Sequence, residues 1–189
     1  MDLFLIDQLL KSNLPDGPVL DLGCGTGRNT IFFWQHGYEI TALDADEKQI
    51  QLLRHFLSGS SDQNLRLVTS PAQSIPASSE SFETIICSRL LHLLPSAEDF
   101  EKAWEEIHRV LRPGGFFYFT MNSTLGLDIT WNEIENGLYQ YPDGNRSLLL
   151  DQALLEKIES DSRFRLLETP RFLVFGQTRS EAILLLRKK

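Results

Sequence analysis

Gly23, Gly25 and Gly27 follow the apolar run Val19-Leu20-Asp21-Leu22 and precede a stretch of helical periodicity. Without Cβ atoms, such a loop can turn sharply and let a ligand lie against its backbone. Amides free at the start of the next helix, backed by the positive end of its dipole, suit an anionic ligand group. Asp44 falls seventeen positions after Gly27, at the end of the next apolar run, where a carboxylate can accept hydrogen bonds from both hydroxyls of a ribose. Strand, glycine loop, helix, strand and acid together describe a site for a nucleoside-containing cofactor at the carboxyl ends of parallel strands. The dinucleotide spacing G-x-G-x-x-G needs a glycine where Arg28 stands, which counts against a nicotinamide cofactor.

The elements that must position these residues alternate β-like runs with helical periods, which argues for an α/β fold with a doubly wound, mostly parallel sheet. Residues 3–11 read as a lead-in helix and Val19–Leu22 as the first strand, followed after the glycine loop by a helix to about His36. Further strands are predicted at 39–43, 65–69, 82–87 and 116–120, with helices at 46–57, capped by Asp46, and at 96–111. Residues 58–62 read as a loop. Residues 121–147 carry no regular period and are longer than the usual connection, as lids and binding loops often are. A helix at 148–159 and a long antiparallel pair, 164–175 with 181–187, complete a seven-stranded sheet whose last strand is reversed. One domain, 1–189, is the expectation for this length.

Composition narrows the partners. The chain is 42% apolar and 23% charged, enough to bury a core and unlike a disordered segment. Eighteen basic against twenty-six acidic residues give a net charge of −8, which repels phosphate backbones and anionic headgroups, so neither long nucleic acid nor a membrane is expected as partner. The opening MDLFLIDQLL lacks the basic flank of a secretory signal, and no apolar run approaches the ~20 residues of a membrane helix. Two cysteines, Cys24 and Cys87, form neither a disulfide framework nor a paired zinc motif, and a cytoplasmic setting is the simplest.

Four separated segments resemble the class I S-adenosylmethionine-dependent methyltransferases. Asp21-Leu22-Gly23-Cys24-Gly25-Thr26-Gly27 is similar to their first motif and Leu43-Asp44-Ala45-Asp46 to their second. The run from Ser81 to Cys87, followed by Leu90-Leu91-His92-Leu93-Leu94, resembles their fourth-strand region, and Val110-Leu111-Arg112-Pro113-Gly114-Gly115 the lead into their fifth. Within the family, Gly23 to Asn29 is similar to the small-molecule and tellurite-resistance-type branch.

The resemblance implies a Rossmann-like fold and methyl transfer from S-adenosylmethionine, leaving S-adenosylhomocysteine, with no metal. It implies that Asp21 and the carbonyls around Gly23 and Gly25 hold the methionine ammonium, with Cys24 and Gly27 in the same loop and Ser88 across from it. Asp44 would hold the ribose and Ala45 would pack on the adenine. In Ser70-Pro71-Ala72-Gln73, Pro71 stands where the family usually has an acid for the adenine amino group. The base would then be read by the backbone of Ala72 or Gln73 and by the Gln73 side chain.

Methyl transfer is an in-line displacement that needs alignment and exclusion of water, and a general base only where the nucleophile starts protonated. His92, after the fourth strand, is the candidate base; the alternative is a histidine that shapes the cofactor pocket. Arg89 pairs either with an acidic substrate or with a nearby carboxylate. Cys24 at a helix start could be an activated thiol, or simply a small residue that fits. Glu101, Glu105, Glu106 and Arg109 read as a solvated helix face, and His36 and His108 as surface or packing residues. Trp131, Tyr139 and Tyr141 would wall a substrate if 121–147 is a lid, with Glu133 and Glu135 favouring a cationic or polyhydroxyl one. Cys87-Ser88-Arg89-Leu90 lacks the acid or Asn followed by Pro-Pro and an aromatic of enzymes acting on exocyclic or amide nitrogens. The short segment before the first strand leaves two expectations, a small substrate or a pocket completed by a second subunit, as in a homodimer. A domain that binds the cofactor without turnover is the alternative function.

Overall fold

Phe116, Phe117, Tyr118 and Phe119 are all fully buried, and they alternate between two apolar clusters, Phe116 and Tyr118 in one and Phe117 and Phe119 in the other. Successive side chains of a strand point to opposite faces, so a strand apolar at every position must be covered on both. The computed structural model, which describes residues 3–57, 63–128, 131–141 and 143–189, shows this arrangement at 116–119. The loop expected at 58–62 lies outside the described residues, as do 129–130 and 142 of the expected lid.

Strands β1 (Val19–Leu22), β2 (Ile40–Asp44), β3 (Leu65–Thr69), β4 (Phe82–Ser88) and β5 (Leu111–Ser123) pair in the order β3-β2-β1-β4-β5, all parallel. Helices α2 (Arg28–Gln35), α3 (Glu47–Phe56) and α4 (Ala97–Val110) fall where the periodicity predicts them, and Asp46 caps α3 by accepting from the Lys48 amide at 2.9 Å. Helix α1 (Leu3–Leu10) and α2 send Leu5 and Phe33 to one sheet face; α4 and α5 (Gln152–Ser160) send Trp104, Ile107 and Ile158 to the other.

Several boundaries differ from expectation, β5 among them: it runs Leu111–Ser123 against an expected 116–120 and takes Leu111 from the expected helix. Among the described residues of 121–147, β6 (Asn132–Glu135), β7 (Leu138–Gln140) and the start of β8 (Arg146–Leu148) form a small antiparallel sheet where no regular structure is expected. Leu148 therefore ends a strand, and α5 starts later than predicted because Asp151 caps it, accepting from the Leu154 amide at 2.7 Å. The reversed strand is β11 (Arg179–Lys188), antiparallel to β5. Its expected long partner is interrupted into β9 (Phe164–Leu166) and β10 (Arg171–Phe175), both paired with β11, so the sheet has eight strands where seven are expected. Pro170, which has no N–H for a ladder, stands in the gap.

Candidate functional site

The glycine loop sits at the carboxyl ends of β1 and β2. All three glycines have positive φ, at 74°, 52° and 86°, a region L side chains rarely adopt. A Cβ at Gly23 would meet Leu90 Cβ at 2.8 Å and one at Gly27 would run into Leu53 Cδ1, whereas one at Gly25 would meet nothing within 4 Å. Gly23 and Gly27 are glycine because the protein packs there, and Gly25 lies where the loop is open.

Asp21, only 2% exposed, is not held out toward a ligand. Its Oδ2 accepts from the Thr30 amide at 3.0 Å and the Thr30 hydroxyl at 2.6 Å, so it caps α2 from within the sheet. One of the amides expected to be free at that helix start is thereby taken. Burial raises Asp21 to about 6, against the pull of its bonds to Thr30 and Asn29. Asn29 also donates to Ser88 Oγ at 3.2 Å, which ties α2 to the end of β4. Cys24 is buried, and desolvation together with the Asp21 and Asp44 carboxylates pushes its thiol up, so it stays protonated: the small-residue reading holds over the activated thiol.

Asp44 ends β2, as the spacing predicts. Its Oδ2 accepts from the Gly25 amide at 2.8 Å and its Oδ1 from the Asp46 amide at 2.9 Å. Two carboxylate oxygens offer about four lone-pair sites, so acceptor capacity remains. Asp44, Gly23, Ala45, Ala72 and Gln73 share a cavity of about 300 Å³, which Leu90, Leu93, Leu94 and Pro95 close on the far side. Pro71 lines the same cavity. A wider groove of about 480 Å³ lies between α4, α5 and the β6–β7 turn and contains no residue of the glycine loop.

The cavity wall after β3 has no helix or strand over 70–81, so its backbone polar groups need other partners. Helix α4 supplies several of them. Glu106 Oε2 accepts from the Ile75 amide at 2.7 Å, and Arg109 donates to the Ile75 and Ala77 carbonyls at 2.8 and 2.7 Å. Glu106 and Arg109 are therefore not a merely solvated face; they staple the pocket loop to the helix. Glu101 and Glu105 do face solvent, pairing with Lys157 and Arg163. His36 stacks on Phe32 and His108 packs edge-on to Phe164, as packing residues.

His92 lies on a single 3₁₀ turn, Leu91–Leu93, and is 8% exposed. Its backbone oxygen accepts from Ser147 Oγ of β8 at 2.8 Å, and its Nδ1 has no hydrogen-bond partner among the described residues. Burial, with Arg89 adding to it and Glu181 opposing, lowers it to about 4, so it is neutral at pH 7. Arg89, in a left-handed conformation with φ 61°, donates to Glu181 at 2.7 Å. The neighbouring-carboxylate reading is the one the structure shows: Glu181 comes from β11, and its side chain is 6% exposed.

The aromatic residues of 121–147 pack on one another. Trp131 lies edge-on to Tyr139 and Tyr141, with centroids at 6.3 and 5.5 Å. Tyr139, expected as a substrate wall, is buried and donates to Asp151 at 2.8 Å, which fastens β7 to the start of α5. Tyr141 instead approaches Asn122, near the end of β5, at 3.4 Å. Sequence reasoning missed Thr30, Glu181 and the Leu90–Pro95 wall. Only Thr30, three residues past Gly27, carried a local signal, a hydroxyl in the first turn of a helix.

A sheet of this order, with a glycine loop after its first strand and an acid after its second, defines a nucleoside-cofactor fold of the Rossmann-like kind. The chain belongs to the class I S-adenosylmethionine-dependent methyltransferase family: a sequence profile described as a methyltransferase domain matches residues 20–119. It is 30% identical over 142 residues to the malonyl-[acyl-carrier protein] O-methyltransferase of Enterobacter lignolyticus, covering 72% of this chain and 52% of that one. The chain spans about half the length of the curated relatives it matches. Among solved structures, a Methanosarcina mazei S-adenosylmethionine-dependent methyltransferase superposes with TM-score 0.77 at 18% identity, covering 95% of this chain and 96% of that one. The 1,6-didemethyltoxoflavin-N1-methyltransferase of Burkholderia thailandensis, solved with its substrate and S-adenosylhomocysteine, gives 0.73 at 19% identity over 98% of this chain and 76% of that one. At these identities the two structures speak for the fold. No helix is long and apolar enough to cross a membrane, and no group of three His, Cys, Asp or Glu is placed to hold a metal, among the described residues.

Proposed function

We propose that this chain transfers the methyl group of S-adenosylmethionine to a small-molecule acceptor by in-line displacement. The observation that carries the reading is the cavity at the carboxyl ends of β1 and β2, which brings together Gly23, Asp44, Ala45, Ala72 and Gln73. The residues fit an adenosyl cofactor: Asp44 keeps lone pairs for two ribose hydroxyls, Ala45 and Leu93 offer apolar surface to a flat base, and the open side of Gly25 leaves room for a chain against the backbone.

Bound there, the cofactor supplies an electrophilic methyl carbon on a sulfonium sulfur. Asp44 orients the ribose, and the Asp21–Thr30 contact holds the loop in the shape that receives the methionine end. Ser88 and Asn29 set the end of β4 against the same loop. His92, buried and neutral at pH 7, has its Nδ1 closed off from solvent, and its backbone oxygen holds Ser147 of β8, so its role is to shape the segment after β4 rather than to meet the acceptor. Tyr141, close to Asn122, and Trp131 packed on it are the aromatic surface that 121–147 would offer an acceptor in a lid role. The narrower likeness to tellurite-resistance-type enzymes rests on Gly23 to Asn29 alone.

Calorimetric titration with S-adenosylmethionine and S-adenosylhomocysteine tests the reading. Micromolar binding, weakened at least tenfold by Asp44→Ala, supports it; absence of binding by the native chain defeats it. Pro71 favours one second reading, a cofactor-binding domain without turnover, because it removes a carboxylate and an N–H from the adenine side of the cavity. S-adenosylhomocysteine formed over a panel of small acceptors would exclude that alternative.

A further inference from the structure

The Gln73 side-chain amide donates through Nε2 to Asp99 Oδ1 at 3.0 Å. An ionised carboxylate can only accept, so the NH₂ branch must face Asp99, and the carbonyl Oε1 occupies the other branch of the planar amide. Asp99 is itself fixed: its Oδ2 accepts from Ser96 Oγ at 2.6 Å, and its amide donates to the same oxygen at 3.1 Å, where Ser96 caps α4. Gln73 lines the proposed adenosine cavity beside Pro71 and Ala72. Of the other polar side chains lining that cavity, Ser70 donates to the Ser74 carbonyl at 2.6 Å and Asp44 sits at the β2 end. Ser70 Oγ keeps its lone pairs, but of the side-chain acceptors at the Pro71 side Gln73 Oε1 is the one whose direction a residue of another element fixes.

We propose that Asp99 is a specificity-determining positioning residue: by holding the Gln73 amide in one orientation, it presents Oε1 to the exocyclic amino group of the adenine. This rests on the cavity holding the adenosyl cofactor. The pair takes over, from the first turn of α4, a contact that Pro71 cannot make. A base with a 6-oxo group in place of the amine would set acceptor against acceptor and be rejected, provided the amide cannot turn over.

The test compares the affinities of S-adenosylhomocysteine and its hypoxanthine counterpart, S-inosylhomocysteine, measured calorimetrically on the full chain. The native protein should prefer the adenosyl ligand by about tenfold or more, since one polar group left facing a like partner costs at least that. Asp99→Asn, nearly isosteric and able to present either face of its own amide, releases the constraint; the preference should fall to within about threefold, mainly through tighter binding of the inosyl ligand. The exchanged pair, Gln73→Glu with Asp99→Asn, again leaves an acceptor aimed at the base and should restore the preference. A merely structural role for Asp99 would weaken both ligands equally. An unchanged ratio in Asp99→Asn overturns the proposal. If the native chain binds neither ligand, the assignment of the cavity to the cofactor is what fails.

Discussion

Asp21, at the third position of β1, accepts both the amide and the hydroxyl of Thr30, at 3.0 and 2.6 Å, and so locks the first strand to the helix after the glycine loop. A carboxylate this deeply buried depends on such partners, because each lost bond leaves charge uncompensated in a low-dielectric interior. Thr30→Val keeps the shape and removes the hydroxyl. Urea unfolding at pH 8 should show a loss of about 1–3 kcal/mol. The loss should shrink at pH 5, below the raised value of about 6, where Asp21 is protonated in the native state.

Asp21 and His92 act on stability in opposite directions. His92 is lowered from 6.5 to about 4, so the unfolded chain takes up its proton first and stability is lost as pH falls through that window. Asp21 is raised from 3.8 to about 6, so the folded chain takes up its proton first and stability is gained as pH falls from 6 toward 4. His92→Asn should cancel the first effect alone. Relative to the native chain, its unfolding free energy should rise by up to about 3 kcal/mol between pH 6.5 and pH 4, with chemical denaturation at each pH as the measurement. An unchanged difference across that range would mean that His92 titrates normally.

Gly25 and Gly27 should respond differently to the same substitution. Gly27→Ala drives a methyl into Leu53, which is fully buried, and should cost several kcal/mol in stability. Gly25→Ala meets open space and should cost only the backbone strain of positive φ, about 1–2 kcal/mol, while weakening S-adenosylhomocysteine binding at least tenfold. Thermal melts run beside titrations separate the two effects.

Arg109 touches no part of the cavity, yet it holds two carbonyls of the loop that lines it. Arg109→Ala should weaken S-adenosylhomocysteine by roughly threefold to tenfold through a looser Pro71–Gln73 wall, an effect of about 1 kcal/mol on the ordered loop. Hydrogen exchange at the Ile75 and Ala77 amides should quicken in the variant. Unchanged affinity together with quickened exchange would show that the wall's position does not govern binding.

Much of the parallel core was legible because its signals are local. Apolar runs at 19–22 and 65–69 match β1 and β3 to the residue, and Asp46 caps α3 as predicted. The small sheet in 121–147 was not legible. Its strands are three or four residues long, β6 is exposed throughout, and the pairing is held by turns such as Asn136-Gly137. Glu106 and Arg109 looked solvated for a related reason: helical spacing shows which residues share a face, and says nothing of a loop arriving from thirty positions away to lie on it.

By itself, the sequence determined the strand, glycine loop, helix, strand and acid that make a nucleoside site, since each is set by backbone freedom and period over a few residues. Tertiary structure alone decided how the charged and polar groups are spent. Arg89 meets Glu181 across 92 positions because β11 reverses against β5, and Gln73 meets Asp99 because α4 crosses the loop after β3. A carboxylate or an amide takes whichever partner the packing delivers, and no spacing within the chain specifies that choice.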